Sequence, residues 1–315
     1  MADICVWNRC NNGCLMCSNP REFNKSVHSA TYSLDAIINR VKKNYDNLQK
    51  NHQVIDLTGG EPTIHQHFFE ILALLKKQHP ENKIALNTNG RMFAYYEFTK
   101  KHLPYINFIK IAVHGFNPQS HDIITGIKGS FYQTVKGIKN ILTVRKNIKN
   151  GAFIEVEIRI ILTKLNYQNL EEILSFLHQN FSEVNRIVLI FPEFEGICQE
   201  NFSLIGITYQ DCSLFIKTAI QNWAPNFKDI RLYHFPLCVL PFKLWPYTWR
   251  TLRGDEVIFL ERCQECIYKK YCLGVHIDYP KVIGDREFQP IISSVGEIIV
   301  NKGDQFIYHP IIAVK

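Results

Sequence analysis

Three cysteines near the start of the chain, Cys10, Cys14 and Cys17, have the spacing Cys-x3-Cys-x2-Cys. Three thiolates on one short loop hold three irons of a [4Fe-4S] cluster and leave the fourth iron without a protein ligand, open to something else. A zinc knuckle is the other chemistry for such thiols, but a structural zinc site calls for four closed ligands and this loop offers three. Four further cysteines, Cys238, Cys263, Cys266 and Cys272, form a second set: a Cys-x2-Cys-x5-Cys knuckle with one distant partner. Zinc and iron-sulfur both satisfy that spacing. His276 is a weaker candidate ligand there than Cys238. Cys5, Cys198 and Cys212 read as small buried hydrophobes, Cys212 sharing an apolar stripe with Phe215, Ala219 and Trp223.

One strand and helix beyond the first cysteines lies Gly59-Gly60-Glu61-Pro62. Two residues without Cβ atoms let a ligand approach the backbone closely, and Pro62 stiffens the exit from the turn. Glu61 is then set to face a cation. Arg159 lies among Val156, Ile158, Ile160 and Ile161, and a charge in an apolar strand needs a partner. Glu155 and Glu157 are the nearby ones. Asn87-Thr88-Asn89-Gly90 has good turn chemistry. His114 follows another apolar run; a lone histidine is more often structural than catalytic.

The elements that position these residues follow from hydrophobic period. Strand-like runs lie at 4–7, 54–57, 84–87, 108–113, 153–162 and 187–191. Helices alternate with them: Leu34, Ile37, Ile38, Val41, Tyr45 and Leu48 share a face behind a Ser33 cap, and Leu170, Ile173, Leu174 and Leu177 repeat the pattern. Six βα units imply a parallel sheet with right-handed crossovers, doubly wound or rolled into a barrel. The cysteine loop, the Gly-Gly-Glu-Pro segment, the Asn-Gly turn and His114 all fall at strand carboxyl ends, the rim where ligands gather in both folds. After about residue 195 the pattern changes to a helix at 209–223, a strand at 230–235 and a stretch rich in Pro and aromatic residues. From 281 onward short strands are expected, with turns at Gly284-Asp285 and Gly303-Asp304.

With the open-site cysteine spacing followed by Gly-Gly-Glu-Pro, the chain resembles the radical S-adenosylmethionine (SAM) enzymes. That resemblance implies an α/β fold: a partial (β/α)6 TIM-type barrel over 1–195, a closing or linking segment over 196–235, an auxiliary cluster region over 236–280 and a β-rich tail over 281–315. It also implies a [4Fe-4S] cluster on Cys10, Cys14 and Cys17 with SAM on the open iron, Gly59, Gly60, Glu61 and Pro62 receiving the SAM amino group. Met16 stands where relatives carry an aromatic residue against the adenine, and a thioether makes a comparable soft contact. Asn89 would face the SAM ribose or the substrate, and Arg159 the SAM carboxylate. Ala112-Val113-His114-Gly115 replaces the Ser-x-Asp-Gly of many relatives, which leaves His114 as the catalytic candidate. Cys238-x2-Pro241, Trp245-Pro246 and the 263–274 segment resemble the SPASM and twitch regions of peptide maturases of the His-Xaa-Ser-system kind, implying one auxiliary [4Fe-4S] cluster on Cys238, Cys263, Cys266 and Cys272.

At 315 residues, 46% hydrophobic and 21% charged, the chain has the composition of a globular protein with a large core. No apolar run approaches the length of a membrane span and no signal peptide is visible, so a cytoplasmic location is expected. Ten cysteines there point to metal ligands over disulfides. The formal charge of +7 favours acidic partners, an electron donor such as flavodoxin or ferredoxin or, less so, RNA. The basic run at 136–149 reads as the solvated face of a helix. The expected function is reductive cleavage of SAM to a 5′-deoxyadenosyl radical that abstracts hydrogen from a substrate. A ribosomally made peptide leads; RNA or a small metabolite is the alternative, and a non-catalytic electron-transfer or sensor protein the remote one. Leader recognition is expected of a separate protein or of the tail after 281.

Overall fold

The computed structural model describes residues 2–25, 29–44, 54–149, 151–296, 298–299, 309–310 and 313–314. The described chain divides into two compact units, residues 1–15, 19–159 and 179–185 forming the first, and 16–18, 160–178 and 186–315 the second. This division falls inside the fifth strand, not near residue 195.

The first unit is built on β1 (Ala2–Trp7), β2 (Val54–Gly59), β3 (Lys83–Thr88), β4 (Phe108–Ala112) and most of β5 (Glu155–Ile161). Each pairs in parallel with the next in chain order. Helices α1 (Leu34–Lys43), α2 (Phe68–Gln78), α3 (Tyr96–His102), α4 (Pro118–Thr125) and α5 (Ser130–Asn147) provide the crossovers. The Ser33 hydroxyl caps α1 by accepting from Ala36 N–H, and Ile37, Ile38 and Val41 are its buried face. Tyr45 and Leu48 lie outside the described residues. In α5, Ile138, Ile141, Leu142 and Val144 are buried while Lys136, Lys139 and Lys146 are exposed, so the basic run is a solvated face.

The opposite strand face carries charge. Asn87, Lys110 and Glu157 stand in register on β3, β4 and β5. Lys110 pairs with Asp56, which also accepts from Asn87 Nδ2 at 2.9 Å; Arg159 donates to Asn87 Oδ1 at 3.2 Å and to Glu157 Oε1 at 2.6 Å. Burial lowers the Lys110 pKa, with Asp56 opposing it.

The second unit continues the pattern past the six expected strands. β6 (Arg186–Ile190) pairs in parallel with β7 (Ile230–Tyr233), and β7 with β8 (Thr248–Arg250). Helices α6 (Leu170–Phe181) and α7 (Tyr209–Trp223) accompany them. Arg186 and Arg231 share Asp229, and Arg231 lies 3.2 Å above the Trp249 ring. An aromatic core of Phe191, Phe194, Tyr209, Phe235, Tyr279 and Phe288 is buried beside the strands. Toward the carboxyl end, β9 (Val257–Ile258) pairs with β10 (Val275–His276), and β11 (Ile298–Ile299) with β13 (Ala313–Val314), both antiparallel; β12 (His309–Pro310) runs antiparallel to β8. Gly284 turns with φ 101°, while Gly303-Asp304 lies outside the described residues. Among the described residues no helix is long and apolar enough to cross a membrane.

Candidate metal centres

The first cysteine loop leaves β1 and is fastened at both ends. At its start, Gly60 N–H donates to Trp7 O at 2.7 Å and Glu61 N–H to Arg9 O at 2.8 Å. A Cβ on Gly59 would collide with Trp7 O and one on Gly60 with Arg9 O. The glycines are therefore required by close approach of the chain's own cysteine loop, where the sequence alone pointed to approach of a ligand. At its far end, Gly13 and Leu15 N–H groups donate to Thr125 and Ile124 carbonyls at 2.9 Å each. Gly126, at φ 70°, ends α4, and a Cβ there would lie 2.5 Å from Gly13 O.

Between these ends the loop is braced from the end of β3. Asn89 Nδ2 donates to Asn11 Oδ1 at 2.6 Å and lies 4.0 Å from Cys10 Sγ, which also accepts from Asn12 N–H at 3.3 Å. Arg91 Nη1 donates to Asn12 Oδ1 at 2.8 Å and to the Asn11 carbonyl, while its Nε donates to Gln133 Oε1 at 2.6 Å. Cys10, Cys14 and Cys17 are each half-buried and in no disulfide. Cys10 and Cys14 lie on the braced stretch, and Cys10 already accepts N–H···S bonds of the kind that support an iron-sulfur ligand. Arg91, missed in the sequence, acts on this loop directly; the signal was an arginine two residues after Asn89 at a strand carboxyl end.

Glu61 differs from expectation. Its carboxylate is buried and fully engaged: Oε1 accepts from Thr63 N–H (3.2 Å), Thr63 Oγ1 (2.5 Å) and Thr88 Oγ1 (2.7 Å), and Oε2 from Asn89 N–H (2.7 Å). Burial pushes its pKa up and these donors oppose the rise. Glu61 ties the ends of β2 and β3 together instead of facing a ligand cation. Pro62 opens the short helical turn that Glu61 caps. Asn89 is likewise turned to the cysteine loop, not to open space. Arg159 has the partner that a charged strand residue requires, Glu157, together with Asn87. Met16 is buried, and the Cys17 carbonyl accepts Cys198 N–H at 2.8 Å.

His114 is 1% exposed and stacks on His121 with ring centroids 5.9 Å apart. Burial, and then the His121 neighbour, lowers its pKa to about 3. A neutral imidazole in this setting packs against His121, the structural role that a lone histidine more often has.

The second cysteine set comes together. Cys238, Cys263, Cys266 and Cys272 line one pocket with Pro236, Phe259, Tyr268, Val275, Phe288 and Pro290. Cys272 Sγ accepts from Leu237 N–H at 3.4 Å and Gly274 N–H at 3.5 Å. Burial, then the neighbouring thiols, raises the Cys238 pKa to about 12. Four thiols lining one apolar pocket have the donor set a cluster needs, and metal binding would remove the protons that burial holds on Cys238 and Cys272. His276 is buried beyond them, with Nδ1 accepting Asp278 N–H at 3.3 Å.

A radical SAM superfamily model matches residues 4–177, and the chain belongs to that family. Its cofactors are a [4Fe-4S] cluster and SAM, and the residues of both cysteine sets fit clusters of that kind. Among curated relatives, it is 28% identical over 144 residues to GTP 3′,8-cyclase of Petrotoga mobilis, covering 46% of this chain and 43% of that protein. It is 27% identical over 235 residues to a probable GTP 3′,8-cyclase of Saccharolobus islandicus, covering 74% and 68%. Mycofactocin maturase MftC of Mycolicibacterium smegmatis is 25% identical over 142 residues, covering 45% and 33%. In fold, the chain resembles Streptococcus suis SuiB bound to its precursor peptide SuiA, with TM-score 0.53 and 14% identity over 73% of this chain and 48% of SuiB. It thus spans under half of the Petrotoga enzyme and of SuiB.

Proposed function

We propose that this protein is a radical SAM peptide maturase carrying an auxiliary iron-sulfur cluster. When bound, the first cluster supplies the electron that cleaves SAM to a 5′-deoxyadenosyl radical able to take hydrogen from a substrate. The chain's part is to hold the Cys10–Cys17 loop rigid through Asn89, Arg91 and the Gly-Gly-Glu turn, and to gather Cys238, Cys263, Cys266 and Cys272 for the second cluster. The observation that carries the reading is this convergence of four thiols on one pocket in a chain of this family. SuiB, which the chain resembles in fold, binds the precursor peptide SuiA, and MftC is named a mycofactocin maturase. An acidic one-electron donor, favoured by the +7 charge, and a separate peptide-recognition protein complete the proposal. A cytoplasmic location belongs to the same reading.

A nucleotide substrate is the second reading, because several relatives are named GTP 3′,8-cyclases. The second set of four cysteines, gathered on one pocket, favours the peptide, because its spacing resembles the auxiliary-cluster regions of peptide maturases. The deciding experiment incubates reconstituted protein with SAM and reductant, adding either a short Cys-, Ser- or His-rich peptide encoded beside it or GTP. A mass change in the peptide alone is expected. GTP conversion with the peptide untouched overturns the proposal.

A further inference from the structure

The middle of the first cysteine loop reaches the surface of the first unit. Gly13, the residue before Cys14, is exposed, and nothing lies within 4 Å of the place a Cβ would take. Helix α4 and the start of α5 frame this tip. Thr125 O accepts Gly13 N–H, and Gly126 is so close that a Cβ on it would lie 2.5 Å from Gly13 O. From the other side, Arg91 joins Asn12 Oδ1, at 2.8 Å, to Gln133 Oε1 on α5, at 2.6 Å. All of these residues belong to the first unit.

Charge around the tip has one sign. The loop from Asn8 to Pro20 contains Arg9 and no acid, and from His114 to Lys149 the only acid in the sequence is Asp122. Its carboxylate is used internally, accepting from Gly129 N–H at 2.6 Å, Ser130 Oγ at 2.8 Å and Phe131 N–H at 2.8 Å to fix the start of α5. Lys128 follows Gly126 by two residues, and Tyr132, Lys136 and Lys139 succeed one another along one face of α5 at helical spacing. All three lysines are exposed, and none forms an ion pair among the described residues, whereas Lys146 at the far end of α5 pairs with Glu183 at 2.7 Å. Ile123 on α4 and Tyr132 on α5, 55% and 66% exposed, add apolar surface on either side of the Lys128 turn.

The occupant of this surface follows from what the loop carries. An electron reaches a cluster only over a short distance, so a protein donor has to seat where the cysteine loop meets solvent. Redox encounters are small, below about 1,200 Å² in total, and opposite charge steers them. We propose that Gly13, Ile123, Lys128, Tyr132 and Lys136 form the docking surface for an acidic flavodoxin-type protein, whose reduced flavin gives one electron to the first cluster with no atom or proton exchanged. An apolar pair within a basic rim is complementary to the apolar edge of a flavin set among carboxylates. An RNA strand also favours lysines beside a tyrosine, but it gives no account of a patch centred on the tip of a cysteine loop. The inference rests on the reading that an acidic protein supplies the electron, and it is independent of the substrate.

The probe is a bacterial flavodoxin, titrated calorimetrically in its oxidised form into the reconstituted full chain and mixed with it as the hydroquinone in stopped flow. Wild type should bind it, with affinity falling as salt rises. A Lys128→Glu/Lys136→Glu variant should bind about tenfold more weakly and be reduced correspondingly more slowly by flavodoxin, while dithionite, too small to need docking, reduces it at the wild-type rate. Lys76→Glu/Lys77→Glu makes the same change in net charge on α2, which packs on α1 and α3, and should bind as wild type does. Iron content and melting temperature verify that each variant is folded; Lys128→Ala/Lys136→Ala serves if the charge reversal is not, with a smaller loss expected. Equal flavodoxin binding by wild type and the Lys128/Lys136 variant, or an equal loss in the Lys76/Lys77 variant, overturns the surface and leaves the donor reading standing. Wild type that dithionite reduces but flavodoxin neither binds nor reduces overturns both. A short mixed-sequence RNA that binds more tightly than flavodoxin, and only while Lys128 and Lys136 are present, assigns the surface to nucleic acid and overturns the proposal.

Discussion

Arg91 and Glu61 support the first cysteine loop and the strand ends beside it through several hydrogen bonds each, which makes them sensitive to small changes. Arg91 spends Nε on Gln133 and Nη1 on Asn11 and Asn12, a forked geometry a lysine cannot reproduce. Arg91→Lys should leave the fold intact yet lose iron to a chelator several-fold faster than wild type, followed by the fading of cluster absorbance. An unchanged rate would show that the loop is held without it. At Glu61 the carboxylate accepts four hydrogen bonds, including Asn89 N–H on Oε2. An amide offers a single acceptor oxygen, so Glu61→Gln strands a buried donor and should destabilise the protein by about 1–3 kcal/mol in urea unfolding. Stability equal to wild type would mean that the turn rearranges freely.

The helix-and-strand level was largely readable from sequence because hydrophobic period depends on local burial: the expected strands and α1, α5, α6 and α7 are all present within a few residues. Direction was less readable. Ligand-binding and loop-bracing roles demand the same residue types, and the sequence did not reveal that Gly59, Gly60, Glu61 and Asn89 also join β-strand ends to one another and to the cysteine loop. The Arg159–Glu157 pair was visible as an alternative because i and i+2 residues share a strand face. The packing of His114 was not readable because its partner, His121, comes from α4, and no local pattern reveals that stacking. The pair has a measurable consequence. Burial lowers the His114 pKa to about 3 and the His121 pKa to about 4, so the unfolded chain binds protons near pH 6.5 that the native state refuses. Their stabilising contribution is whole above pH 6.5 and is lost as pH falls toward 3, on the order of 3 to 5 kcal/mol for each shift. His121→Asn, which keeps an acceptor for His114 N–H, should flatten the decline in melting temperature over that range. An equally steep decline would assign the acid sensitivity elsewhere.

Across the whole molecule, two cysteine sets far apart in sequence each have their own support: Asn89 and Arg91 for the first, the Leu237 and Gly274 amides for the second. Independent support implies independent loss. Anaerobically reconstituted protein should hold about eight irons, the content of two cubane clusters. About four irons with one zinc would remove the auxiliary cluster and spare the radical chemistry. Cys14→Ala and Cys266→Ala should each retain about four irons, one intact cluster, but with opposite functional results. The first should form no 5′-deoxyadenosine, since the thiolate it removes belongs to the set that leaves an iron open. The second should still form 5′-deoxyadenosine without modified product, because the Arg91 and Asn89 braces do not touch the second set. A normal 5′-deoxyadenosine yield from Cys14→Ala would sink the assignment of the first set. Loss of all iron from either variant would show instead that the two halves of the chain assemble as one.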